Sequence, residues 1–270
     1  MSNPIEDAKA AIAEARYADA AELLEPLTNG DDAEADYLFG TLLFTGPDVV
    51  SRDDAMDALQ RAADLDHPAA CYCVATTAFD GDGIQTDIVV DAELLVHAGD
   101  LGDVDAQRML GLLHVEGQDG FPEDAEIARA WYERAAEQGD AQSQNDLARM
   151  MLEGEGGEVD AENALEWLTA CAEQDGWSSE RAADLLACIY EEGRYGVEPS
   201  EIEATRWRSR QEALKEAAER ARVEHEEMQA EIAAAAEAAS ADASDDREDD
   251  DEDDDDGEEP DDDVDERGRS

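Results

Sequence analysis

The sequence predicts an all-α protein: an α-solenoid of about five helix-loop-helix units, then a long C-terminal helix and a disordered acidic tail. Three observations carry that prediction. Glycines at 46, 81, 117, 154 and 193 fall 35, 36, 37 and 39 residues apart. Six residues before each lies a side chain no larger than alanine: Gly40, Ala75, Gly111, Ala148 and Ala187. A second apolar stripe then follows each glycine. A period of this length with two amphipathic stripes means paired helices stacked in an array.

The elements follow in order. Residues 1–31 form an incomplete copy that caps the array, and 32–211 form the array itself. In each copy the small residue follows an apolar one (Phe39, Val74, Leu110, Leu147, Leu186) and precedes another by three (Leu43, Ala78, His114, Met151, Tyr190). These offsets share one helical face. The small slot admits a neighbouring helix, and the glycine suits a left-handed residue that ends the first helix. The second helix shows alanine, aromatic, alanine at spacings of three and four: Ala128, Trp131, Tyr132, Ala135 and Ala136 in copy three, and Ala164, Trp167, Leu168, Cys171 and Ala172 in copy four. Copy one has Ala55, Ala58, Leu59, Ala62 and Ala63, and copy five has Ala204 and Trp207. Copy two departs, with Asp91 in the alanine slot. Loops such as Gly81-Asp82-Gly83 and Gly154-Glu155-Gly156-Gly157 carry turn chemistry.

The last helix is predicted to start after Pro199, with Ser200 and Glu203 as a reciprocal capping box. Its extension over 212–240 keeps a three-four spacing through Leu214, Ala218, Ala221, His225, Met228, Ile232, Ala235 and Ala239. Two readings stand: a solvated single helix, and a weak coiled-coil seam for self-association.

Residues 241–270 are predicted to be disordered. From 242 onward there are 19 acidic residues and three arginines, with almost nothing apolar to offset chain entropy. The whole chain holds 75 acidic and 19 basic residues, a net charge of −56. A direct nucleic-acid reader, which needs clustered Lys and Arg, is excluded on this ground. No stretch approaches the length of a membrane span. The first residues show no basic and apolar leader, so a cytoplasmic chain is expected. Lysine occurs only at Lys9 and Lys215. Abundant carboxylates with scarce lysine match a salt-loaded, halophilic cytoplasm, where self-repulsion is screened.

Leu110-Gly111-Leu112-Leu113-His114-Val115-Glu116-Gly117, followed by Ala128-Arg129-Ala130-Trp131-Tyr132-Glu133-Arg134-Ala135-Ala136-Glu137-Gln138-Gly139, resembles the Sel-one-like repeat, a longer-looped relative of the tetratricopeptide repeat. The resemblance covers about 32 to 211 and is strongest in copy three. Tyr17 to Leu24 resembles the second helix of a tetratricopeptide unit. The resemblance implies a right-handed superhelix and a scaffold or adaptor role. Where the family usually has Tyr, this chain has Leu43, Ala78, His114 and Met151, and only Tyr190 matches.

Nothing in the chain points to catalysis, to a metal or to a cofactor. The four histidines lack ligand spacing, and His114 is expected in the core. Cys71, Cys73, Cys171 and Cys188 are expected as buried fillers. Trp131, Trp167 and Trp207 recur at one slot, which argues for interhelix packing, whereas Trp177 sits between copies and is expected at the surface. No phosphate loop, nucleophile elbow or zinc-protease motif is present. The leading expectation is a non-enzymatic scaffold that binds another protein or peptide on its concave face, through Tyr37, Arg108, Gln144 and Arg181. The alternative is a binder that competes, through its acidic tail, for a basic nucleic-acid-binding protein.

Overall fold

The structure is a computed structural model that describes residues 3–28, 31–46, 49–76, 91–118 and 120–245, with side chains to 230. Gly81, its loop and Ala78 lie outside the described residues, as does the tail from 246. Among the described residues the regular structure is helical, with no strand. The helices are α1 (Pro4–Ala13), α2 (Tyr17–Leu24), α3 (Ala33–Thr45), α4 (Arg52–Asp64), α5 (Pro68–Thr76), α6 (Ala92–Asp100), α7 (Val104–Glu116), α8 (Ala125–Glu137), α9 (Ala141–Glu153), α10 (Ala161–Ala172), α11 (Trp177–Glu192) and α12 (Glu201–Asp245).

Two compact units divide the chain at residue 216. In the first, each helix packs on the next, and odd-numbered helices also touch one another (α5 on α7, α9 on α11), as in an α-solenoid. Its core falls into three clusters, one over α1 to α4, one over α4 to α8 and one over α8 to α12. In the second unit every side chain from Ala217 to Met228 and on to Ala230 is exposed. Arg222 bridges Glu219 at 2.6 Å and pairs with Glu226, i,i+3 and i,i+4 contacts that support a solvated helix.

Aspartates start half of these helices. The carboxylates of Asp32, Asp91, Asp103, Asp124, Asp140 and Asp160 each accept from a first-turn amide, at 2.7 Å for Asp140 to Ser143. Such a cap contributes about 1 kcal/mol, and a negative charge also suits the helix N-terminus. Asp91, which breaks the alanine pattern of the sequence, is therefore a cap one position before α6.

The small slot is buried in all five copies: Ala75, Ala148 and Ala187 are at most 1% exposed, and Gly40 and Gly111 lie in the same class. A Cβ on Gly40 would meet Leu59 Cγ at 2.5 Å, and one on Gly111 would meet the Tyr132 ring at 2.7 Å. The first helix of a unit thus rests directly on its second.

Three of the glycine stops are left-handed, with φ of 67°, 73° and 70° at Gly117, Gly154 and Gly193. Gly46 is not: its φ is −125°. What requires glycine there is space, since a Cβ would lie 2.7 Å from Tyr17 Cβ on α2.

The capping box at α12 is half formed. Ser200 Oγ accepts from the Glu203 amide at 3.3 Å. The Ser200 amide instead donates to the Tyr190 carbonyl at 2.9 Å, so the Glu203 carboxylate turns to Arg206. Equivalent bonds run from the amides of Asp124 and Asp160 to the carbonyls of His114 and Met151, tying each second helix to the end of its first.

Candidate functional site

Counting from the small slot locates the surface that the first helices share. Three residues before it stand Tyr37, Tyr72, Arg108, Asn145 and Asp184. Six before it stands Arg181, and one after it stand Leu112 and Arg149. Offsets of three and four keep these residues on one face of α3, α5, α7, α9 and α11. Tyr37, Tyr72, Arg108, Arg149 and Asp184 are half-buried there, Leu112 is 42% exposed, and Arg181 is exposed.

Tyr37 stacks on His67, with ring centroids 4.3 Å apart. His67 Nε2 lies 3.0 Å from Glu34, whose other oxygen pairs with Lys9 at 2.8 Å. The hydrogen bond from Lys9 holds the Glu34 carboxyl below its ordinary value, with His67 adding to it. Arg108 pairs with Asp105 and reaches Asp140 at 3.8 Å.

Gln144 does not belong to this face. It sits one position off the row, four before the small slot, and is 5% exposed. Its amide donates to the Ala136 carbonyl at 3.2 Å and accepts from Gln174 at 2.8 Å. Gln107 does the same in the previous unit, donating to Gly99 O at 2.9 Å and accepting from Gln138 at 2.8 Å. Cys71 donates its thiol to Ala63 O from the same offset. Each donor reaches a carbonyl eight residues earlier, in the last turn of the preceding second helix, and closes the turn between units. In the last unit the offset holds Ala183, and Arg210 takes over, donating to Ala172 O at 3.0 Å and Gln174 O at 2.6 Å.

The other candidates are structural. Trp207 is 3% exposed, while Trp131 and Trp167 are partly buried against the core. Arg134 lies 4.3 Å over Trp131 and donates to Gly99 O. His114, 7% exposed, donates from Nδ1 to Pro122 O at 3.0 Å and meets Phe121 edge-on. The four cysteines are free thiols, and burial pushes Cys73 and Cys171 up to about 11, which keeps both protonated. Trp177 is 56% exposed, with Arg181 over its ring at 5.4 Å.

Sequence reading missed Asn145 and Arg149. Both line a cleft of about 280 Å³ between α9, α11 and the start of α12, together with Arg181, Asp184 and Gln211. Next along α9, burial pushes the Asp146 carboxyl above its ordinary value, against the pull of Arg149 and Arg181. The signal was available: Asn145 and Arg149 fall on the same face as Tyr37 and Arg108.

Stacked helix pairs with a shared first-helix surface define a helical-repeat protein. The Sel1 repeat family matches residues 104–140, 141–176 and 181–207, so the last three units are Sel1 repeats. A Sel1 repeat protein from Oxalobacter formigenes is similar in structure, with a TM-score of 0.61 at 25% identity, covering 78% of this chain and 88% of that one. A protective antigen of uropathogenic Escherichia coli strains, displaying the same repeat fold, matches with a TM-score of 0.62 at 24% identity over 73% of this chain. This chain spans 41% of that antigen. An immunity protein from Pseudomonas aeruginosa shares the fold at a TM-score of 0.50 and 19% identity, covering 80% of this chain and 83% of that one. Sel1 repeats are generally protein–protein interaction scaffolds, typically without enzymatic activity. No described helix is long and apolar enough to cross a membrane.

Proposed function

We propose that this chain is a non-enzymatic adaptor that holds an extended segment of a partner protein along the face formed by its first helices, on the concave side of the array. The supporting observation is the register of that face. Tyr37, Tyr72, Arg108 and Asn145 recur at one offset on successive helices, so a partner segment crossing the helices meets one of them per unit. Tyrosine and arginine are the side chains that most often anchor protein interfaces. Gln144 is set aside from the surface, because its amide closes the turn between units.

The test is affinity capture by the full chain at molar salt. A Tyr72→Ala/Arg108→Ala variant is expected to lose the partner that the unaltered chain retains. A Glu133→Ala/Glu137→Ala variant, altered on exposed positions of α8, is expected to keep it. Capture that survives the first pair of changes, or fails equally with the second, overturns the assignment.

A further inference from the structure

The turn between α4 and α5 departs from its counterparts at the residue that caps the next helix. Eight residues before the small slot stand Asp32, His67, Asp103 and Asp140, and the side chain of each accepts from the amide three residues on. The three aspartates cap α3, α7 and α9, at 3.2, 2.8 and 2.7 Å. At α5 the acceptor is His67 Nδ1, 3.3 Å from the Ala70 nitrogen. In the fifth copy the position holds Ser179, inside the longer α11. A backbone amide only donates and a carboxylate only accepts, so the two bonds of His67 fix its tautomer. Nδ1 carries the lone pair, and Nε2 carries the hydrogen that faces Glu34 at 3.0 Å. Pro68 begins α5 and has no amide to satisfy. Ala70 is fully buried, so its amide relies on the ring.

We infer that this turn is a proton-sensitive joint: His67 caps α5 only while its ring is neutral, and taking up a proton releases the first turn of that helix. An aspartate is ordinarily charged throughout the range, about pH 5 to 8, in which a histidine titrates. The imidazolium donates from both nitrogens, so Nδ1 can no longer accept from Ala70. Its charge also opposes the positive end of the helix dipole. The groups around the ring come from every neighbouring element. From α3, Glu34 draws the proton in, and Tyr37 stacks on the ring. From α1, Lys9 on the other oxygen of Glu34 opposes it. Asp103, at the start of α7, attracts the ring charge. Beside it in the turn, Asp66 is held by His97 of α6 at 2.7 Å. On α5 itself, burial raises Cys71, Tyr72 and Cys73 above their ordinary values, so all three stay neutral across this range. The bond from Nε2 to Glu34 survives protonation. The ring therefore stays in place on α3 while its hold on α5 is lost. The inference stands apart from the adaptor reading and does not depend on it.

The test is amide exchange and heteronuclear NMR on the full chain at molar KCl, from about pH 8 down to about pH 5. Corrected for the intrinsic rate, exchange at Ala70 is expected to rise about fivefold, the equivalent of one lost cap. Ser143 and Asn163, capped by Asp140 and Asp160, should stay level. The Ala70 amide shift and the His67 ring signals should share one midpoint. His67→Asn, a cap that does not titrate, should abolish the rise, and His97→Gln should leave it intact, with thermal melts confirming that each variant folds. If His67→Asn fails to fold, the comparison of Ala70 with Ser143 and Asn163 in the unaltered chain still decides. A level rate at Ala70, an equal rise at Ser143 and Asn163, separate midpoints, a response that outlives His67→Asn, or one that vanishes with His97→Gln overturns the inference.

Discussion

At Gly111 the missing side chain is what lets α7 reach α8. Two carbons of the Tyr132 ring lie 2.7 Å from where a Cβ would stand, and that ring is 3% exposed with little room to yield. Gly111→Val is expected to destabilise the chain by about 1–3 kcal/mol through overpacking, measured by denaturant unfolding at molar salt. An unchanged midpoint would remove the close approach as a determinant of the fold. The slot was legible in the sequence because five copies repeat one restriction on size, and size is a property of the residue alone. The backbone conformation of Gly46 was not, since a glycine that avoids a Cβ clash looks the same in sequence as one that turns left-handed. Gln144 was misplaced for a related reason. A polar residue on a first helix suggests a solvent-facing groove, but its partner at Ala136 is a backbone carbonyl, which leaves no mark in the side-chain pattern.

At the scale of the element, helix ends decide more than helix middles. Half of the N-terminal caps are aspartates that a sequence reader can find, and within the array they recur with the repeats. The C-termini of the second helices are closed from outside, by Gln107, by Gln144 and, at the end of the array, by Arg210. Gln144→Leu keeps the volume but removes one of the two hydrogen bonds on the Ala136 carbonyl, which keeps the Gly139 amide at 2.9 Å, with an expected cost of about 0.5–1.5 kcal/mol measured by denaturant unfolding. Arg210→Ala should act locally instead, speeding amide exchange around Glu173 to Trp177 while leaving α7 and α8 protected. Uniform loss of protection along the chain would show that Arg210 serves the array as a whole and not its last turn.

At the scale of the whole molecule, charge dominates. With 75 acidic residues against 19 basic ones, a net −56 repels itself. The Debye length falls from about 10 Å at 0.1 M salt to about 3 Å at 1 M, so the repulsion is short-ranged only in concentrated salt. The melting temperature is expected to climb by about 10 °C or more between those two KCl concentrations, read by circular dichroism. A melting temperature that stays level would mean that the carboxylates are spaced widely enough to be harmless in dilute buffer. The bonds that close each turn between units bear on how such a chain comes by its length. Donor and acceptor sit eight residues apart in one uninterrupted stretch, as with Gln107 and Gly99 or Gln144 and Ala136. A tandem duplication that copies either one copies its mate, so an ancestral gene can gain or drop a segment by slippage without leaving any joint to be repaired.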